Sequence, residues 1–272
     1  KDHVLLQEME DLVGDEKQFH LWWLGQSGYL LQWKGRRVLI DPYLSDSLTK
    51  KYAATDKPHT RMSERVIDPG LLRNILIVTS SHNHTDHLDA ETLVPVLENN
   101  PGIVFIIPEA NRDFVSERVK CAREFPVGLN DGKSVTVGEF TIHGIPAKHN
   151  EIERDEKRNC RFMGYVIEFA KFRVYHSGDT LWFDGMENLL RPFLVDVAIL
   201  PVNGNESSRK VAGNLDCREA AELGKAIGAK CVIPCHYDMF TFNTADMKEF
   251  VSEAEKIDQP YKVLRGGEKF SG

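Results

Sequence analysis

One six-residue stretch constrains this chain more than any other. His82-Asn83-His84-Thr85-Asp86-His87 places three imidazoles and a carboxylate at the spacing H-x-H-x-D-H, directly after the apolar run Ile75-Leu76-Ile77-Val78-Thr79. That run reads as a short buried strand, and strand ends are where a rigid scaffold presents chemistry. On an extended backbone His82 and His84 share a face, and the turn that must follow carries Asp86 and His87 toward the same neighbourhood. Neutral imidazole and carboxylate are borderline-to-hard donors suited to Zn²⁺, Mn²⁺ or Fe²⁺, whereas softer ions ask for thiolates, and no Cys lies in the stretch. A polar surface loop is the alternative. The chain has only 10 His in 272 residues, however, and three of them beside an Asp in so short a window favour a metal site.

Composition sets the surroundings of that site. With 42% apolar residues the chain can bury a sizeable core. Its apolar runs, such as Val197-Ala198-Ile199-Leu200-Pro201-Val202, fall far short of the roughly 20 residues that span a bilayer, so no membrane-spanning segment is expected. A net charge of −7 argues against a general nucleic-acid binder, which needs clustered Lys and Arg, but leaves room for a basic pocket holding one anionic group. The five Cys (Cys121, Cys160, Cys217, Cys231, Cys235) are odd in number and include no C-x-x-C pair, which fits reduced thiols and a cytoplasmic setting. Cys231 and Cys235 read as core thiols of a strand rather than as ligands. The sequence starts at Lys1 rather than Met, so a segment upstream is expected to have been removed or left out.

Residues 1–18 are acidic, with Val4, Leu5, Met9, Leu12 and Val13 at helical spacing, and read as an N-terminal extension carrying an amphipathic helix. A β-meander follows over residues 20–41, broken at Gly25-Gln26-Ser27-Gly28 and turning near Gly35. The polar connection over residues 41–70 holds His59, Arg61 and Arg65 and is long enough to overhang a site. Asp89 is expected to cap a helix with Leu93, Val94 and Leu97; a buried strand Ile103-Val104-Phe105-Ile106-Ile107 and a helix with Phe114, Val115 and Val119 come next. Strand, helix, strand, helix is α/β layering. From Gly132 hairpins take over, interrupted by the charged residues 151–161, which read as an exposed loop, with a mobile lid as the alternative. Asp216-Cys217-Arg218-Glu219 opens a helix with a capping box, stopped at Gly228. Thr244 is expected to cap a last helix with Met247, Phe250, Val251 and Ala254 on one face. No linker or repeat divides residues 1–272, which read as one domain.

Three more candidate ligands, His149, Asp179 and His236, stand at the ends of expected strands, and Gly178 allows close backbone approach beside Asp179. In the order H-x-H-x-D-H, His, Asp, His, the seven residues resemble the complete ligand set of the metallo-β-lactamase superfamily. Within it the chain is most similar to the branch containing L-ascorbate-6-phosphate lactonase. That similarity rests on Trp23-Leu24-Gly25-Gln26-Ser27-Gly28, Ile40-Asp41-Pro42, Arg61-Met62, Ser177-Gly178-Asp179 and Val232-Ile233-Pro234-Cys235-His236-Tyr237-Asp238-Met239-Phe240. The resemblance implies an αββα sandwich of two similar halves with the metals at one edge between the sheets. It further implies two divalent ions, Zn²⁺ or Mn²⁺, with His82, His84 and His149 around one, Asp86, His87 and His236 around the other, and Asp179 between them.

Such ions lower the pKa of a bound water from 15.7 toward about 7, so the site supplies its own hydroxide. The resemblance therefore implies a metal-dependent hydrolase of an ester-like bond, a lactone or sugar-phosphate lactone before a phosphodiester or phospholipid. Asp86 would orient the water and pass its proton to the leaving oxygen. Arg61, Asn203, Arg209, Asn214 and Tyr237 are the candidate substrate contacts. The expected partner is a small molecule, anionic in the sugar-phosphate case, with no nucleic acid and no membrane, and homo-oligomer formation stays open. The competing class is a non-catalytic metal- or ligand-binding protein on the same scaffold; the intact ligand set disfavours it, because a pure binder has no need of an open water position. A flavodiiron-type protein would place a carboxylate at His84, and an RNA-processing nuclease would need an inserted domain and a basic surface.

Overall fold

The meander forms where the sequence placed it. In the computed structural model, which describes residues 2–206 and 211–272, β1 (His20–Gly25), β2 (Gly28–Trp33) and β3 (Arg36–Ile40) pair antiparallel. Parallel to β3 run β4 (Ile75–Thr79), β5 (Val104–Pro108) and β6 (Val127–Leu129). The second half follows a similar plan. Here β7 (Ser134–Val137), β8 (Phe140–Pro146), β9 (Met163–Phe169) and β10 (Phe172–His176) are antiparallel, and β11 (Val197–Pro201) and β12 (Cys231–Cys235) add in parallel. A final strand, β13 (Lys269–Ser271), returns to the first sheet beside β1; three residues are too few to show periodicity in sequence.

Alternation along the strands sets the layers. Leu21 and Trp23 of β1 join the large core shared with the second sheet, while Trp22 and Leu24 point the other way onto helices. That outer core packs α1 (Asp2–Asp11), then, beyond the short α2 (Ser47–Tyr52), α3 (Ala90–Asn99) and α4 (Arg112–Val119). The second sheet is covered by α5 (Met186–Leu190), α6 (Cys217–Ile227) and α7 (Met247–Lys256). Helix, sheet, sheet, helix is the expected sandwich. Among the described residues no helix is long and apolar enough to cross a membrane.

Local chemistry explains the boundaries. In α6 the Asp216 side chain and that of Glu219 cap each other's backbone N–H, and Gly228 closes the helix at φ +74°. The last helix corrects one expectation: its cap is Asp246, whose carboxylate accepts the Lys248 N–H at 2.9 Å, while the Thr244 hydroxyl accepts the Asp238 N–H. A carboxylate is the better acceptor at the positive end of a helix. Residues 151–161 form a surface loop tied down by Arg154, which donates to both oxygens of Asp131 at 2.9 and 2.8 Å and bridges to Cys160.

The N-terminal extension is joined to the sheet by one buried cation. Arg37, 1% exposed, donates to Glu10 at 2.6 Å, to Gln32 at 2.7 Å and to the Arg73 carbonyl at 3.0 Å. Leu5 and Met9 of α1 pack beneath. Losing this buried side chain leaves a void and unpairs the acceptors on Gln32 and Arg73, so Arg37→Ala is expected to lower stability by about 3 kcal/mol in denaturant unfolding. Glu10→Ala, whose carboxylate is 56% exposed, should cost less; equal losses would contradict the clamp.

Candidate metal centre

Four strand ends deliver the seven predicted ligands to one edge of the sandwich. The loop after β4 carries His82, His84, Asp86 and His87; His149 follows β8, Asp179 follows β10 and His236 follows β12. Backbone contacts lock these segments together. Gly178, at φ +60°, leaves no room for a Cβ, which would sit 2.7 Å from the Met163 carbonyl and 2.8 Å from the Ser81 Cβ. The Leu181 N–H donates to the Lys148 carbonyl at 2.7 Å, and the His236 N–H to the Gln26 carbonyl at 3.0 Å. Gln26, Asp41 and His236 all hold left-handed backbone (φ +50°, +40° and +66°), a strain that clusters at functional sites.

The donor atoms fall into two groups. Ligand atoms of His82, His84, His149 and Asp179 lie within 4.8 Å of one another, as do those of Asp86, His87 and His236. Asp179 reaches both: Oδ1 is 2.8 Å from His236 Nε2 and 3.2 Å from His87 Nε2, while Oδ2 is 3.9 Å from His82 Nε2. His87 Nε2 and His236 Nε2 are 3.2 Å apart, close to the roughly 3.3 Å between two nitrogens bound tetrahedrally to one Zn²⁺. His82 Nε2 and Asp179 Oδ1 are buried without hydrogen-bond partners. Orphaned donors converging in a dry pocket fit a divalent cation.

Electrostatics agree. Burial, aided by neighbouring imidazoles, holds His82 well below the usual imidazole pKa, and burial lowers His149 as well, so both offer lone pairs. Burial works against the charged form of His87 too, but the carboxylates of Asp179 and Asp86 overcome it and raise its pKa well above the usual value. Burial likewise opposes ionised Asp179, yet His236 and His87 hold it well below the carboxylate range. The pocket is built around positive charge.

Residues that the sequence did not single out support these ligands. Asp41, wholly buried, accepts from the Thr79 hydroxyl, the Ser81 N–H and the Ser81 hydroxyl, and its Oδ2 is 2.7 Å from His87 Nδ1. That fixes the ring so that Nε2 faces Asp179. Gln26 Nε2 lies 3.0 Å from both Asp86 Oδ2 and His236 Nδ1. Phe162 packs its ring against His82, His84 and His149. Arg118 of α4 donates to the carbonyls of Asn83 and Leu88, bracing the ligand loop. Only Ile40-Asp41-Pro42 and the Gly25-Gln26 turn hinted at two of them.

A family model described as "Beta-lactamase superfamily domain" matches residues 36–237, most of the chain and the span that holds all seven predicted ligands. A UPF0173 metal-dependent hydrolase of Rubrobacter xylanophilus is 30% identical over 243 residues, covering 86% of this chain and 88% of that one. The chain belongs to the metal-dependent hydrolases of the beta-lactamase superfamily. A probable L-ascorbate-6-phosphate lactonase of Escherichia coli is similar at 25% identity over 90% of this chain and 77% of its own length. Among solved structures, an isothiocyanate hydrolase from Delia radicum gut bacteria superposes with a TM-score of 0.73 at 19% identity, covering 93% of this chain and all of that one, which speaks for the fold.

In this hydrolase His84, Asp86, His149, Asp179 and His236 line a cavity of about 490 Å³. The residue 41–70 connection overhangs it, contributing Lys51, Tyr52, Lys57 and His59 to the wall. His59 stacks on Tyr52 at 4.3 Å with the edges of Phe240 and Phe242 against it. Of the expected substrate contacts, Asn203 and Asn214 line the cavity. Arg61 does not: it donates to the carbonyls of Ser63 and Ser45, both at 2.8 Å, and holds the overhang instead. Tyr237 is also displaced from that role, being buried against Trp23 with its hydroxyl bonded to the Leu264 backbone, because the residue after a strand-end ligand points back into the core. Arg209 lies outside the described residues.

The raised pKa of His87 has a measurable consequence. The raised pKa favours a proton that ligation must displace, so ion binding is expected to release protons and to strengthen as pH rises. Titration calorimetry in two buffers of different ionisation enthalpy measures the release; binding without it would contradict the assignment.

Proposed function

We propose that this hydrolase cleaves a lactone, and most specifically a sugar-phosphate lactone, using two divalent ions, Zn²⁺ or Mn²⁺, with Asp179 shared between them. The observation that carries the reading is the two-sided placement of Asp179, one oxygen toward each donor group, on the floor of a cavity with cations on its wall. His82, His84 and His149 hold one ion, and Asp86, His87 and His236 the other. Bound there, the ions supply Lewis acidity and an activated water. His84 is exposed while its fellow ligands are buried, which leaves an approach for substrate from that side.

Asp86 is the proton carrier of this scheme. Gln26 fixes its Oδ2, and it stands in the cavity wall with its pKa kept low: burial opposes that, but His87 and His236 prevail. An ionised carboxylate so placed orients a water and moves its proton to the leaving oxygen. Lys51 and Lys57 add the positive charge that favours an anionic substrate, which keeps a phosphodiester as the second substrate class. All five cysteines are free thiols, in keeping with a reducing, cytoplasmic setting. Lactone hydrolysis that follows added Mn²⁺ or Zn²⁺ and disappears with EDTA supports this function. Asp86→Ala should lower kcat at least about 100-fold; full turnover with metal content unchanged would refute the role of Asp86.

A further inference from the structure

We infer that Asn214 is a specificity-determining residue which recognises hydrogen-bond donors on the substrate, so that the acyl compound bound here is hydroxylated. This rests on the hydrolytic reading of the same cavity. Asn214 is 1% exposed and is the end of a run of three amides: its Nδ2 donates to Asn203 Oδ1 at 2.9 Å, and Asn203 Nδ2 donates to Asn243 Oδ1 at 2.8 Å. All three line the cavity that holds the ligands. Among the described residues the run leaves Asn214 Oδ1 buried with no hydrogen-bond partner. Turning that amide over alone would set two carbonyl oxygens 2.9 Å apart.

Its chain neighbours hold Asn214 beside the candidate ligand loops. Gly213, at φ +81°, lies so close under His149 that a Cβ would fall 1.5 Å from Nδ1. On the other side the Leu215 N–H donates at 2.9 Å to the carbonyl of Thr180, the residue after Asp179. Asn214 is thereby fixed between two ligand-bearing loops. A second acceptor in the same wall is in the same state: Gln26 Oε1, fully buried and unpartnered, on an amide whose Nε2 is committed to Asp86. Buried acceptors without donors are unfavourable until something supplies the donors, and sites built this way reject analogues that lack them. Two such oxygens, with cations nearby, suit a polyhydroxylated acid or its lactone better than a plain acyl chain.

The test uses the metal-loaded protein and two probe pairs of matched carbon skeleton: ribonate against pentanoate for binding, and ribonolactone against γ-valerolactone for turnover. Ribonate should bind about tenfold or more tightly than pentanoate by calorimetry. Asn214→Leu should bring that ratio close to one, whereas Asn214→Asp, which keeps an acceptor and removes the N–H pair, should retain it. Equal binding of the two acids by the unaltered protein overturns the inference, as does survival of the ratio in a folded Asn214→Leu. Equal binding within the unaltered protein would overturn the inference even when Asn214→Leu does not fold, and Asn214→Asp, in which loss of the ratio would also overturn it, supplies a second variant. If the binding preference holds while neither lactone is turned over, the inference stands and lactone hydrolysis falls.

Discussion

Asp179 is the side chain on which the rest of this structure depends. Three imidazoles from the two ligand-bearing halves, His82, His87 and His236, face its two oxygens in a place from which water is nearly excluded. A carboxylate buried there is tolerable only with positive charge beside it, whether protons on the rings or ions between them. That requirement explains why so many backbone contacts converge on the same edge. A ligand displaced by an ångström would leave a buried charge uncompensated.

The two halves meet this demand in similar ways. Each places an antiparallel set of strands beside parallel ones, and the ligands follow strand ends at the seam. Gly178 lets the Asp179 loop touch the ligand loop, and Asp41 reaches across from the end of β3 to orient His87. The overhang between β3 and β4 then turns the His/Asp cluster into the floor of a cavity, adding aromatic and basic wall residues above it. Hydrolysis needs both parts: ligands that hold charge and walls that hold a substrate against it.

Much of this was legible in the chain. The meander, the capping box of α6 and the ligand run after β4 have local signals, because turn residues, caps and strand periodicity act over a few positions. His149, Asp179 and His236, which the fold brings beside the first cluster, stood out in the chain only as a set in a family's order, since one His or Asp at a strand end carries little information alone. What the sequence concealed was partnership over distance. Arg61 has the charge of a substrate clamp, yet its Nε and one terminal nitrogen donate to the carbonyls of Ser63 and Ser45. Tyr237 has a hydroxyl next to a ligand, yet it points at Leu264. Thr244 and Asp246 are both capping residues by type, and in the fold Asp246 caps the helix while the Thr244 hydroxyl accepts the Asp238 N–H. Nor does anything local mark Gly213 as the platform for His149.

Whether two ions share Asp179 is tested most directly by electron paramagnetic resonance of the Mn²⁺-loaded protein, with metal content measured on the same sample. Two Mn²⁺ joined through one carboxylate are expected to give an exchange-coupled spectrum at a stoichiometry of two per chain. A spectrum of isolated Mn²⁺, or protein that hydrolyses substrate while holding only trace metal, would contradict it.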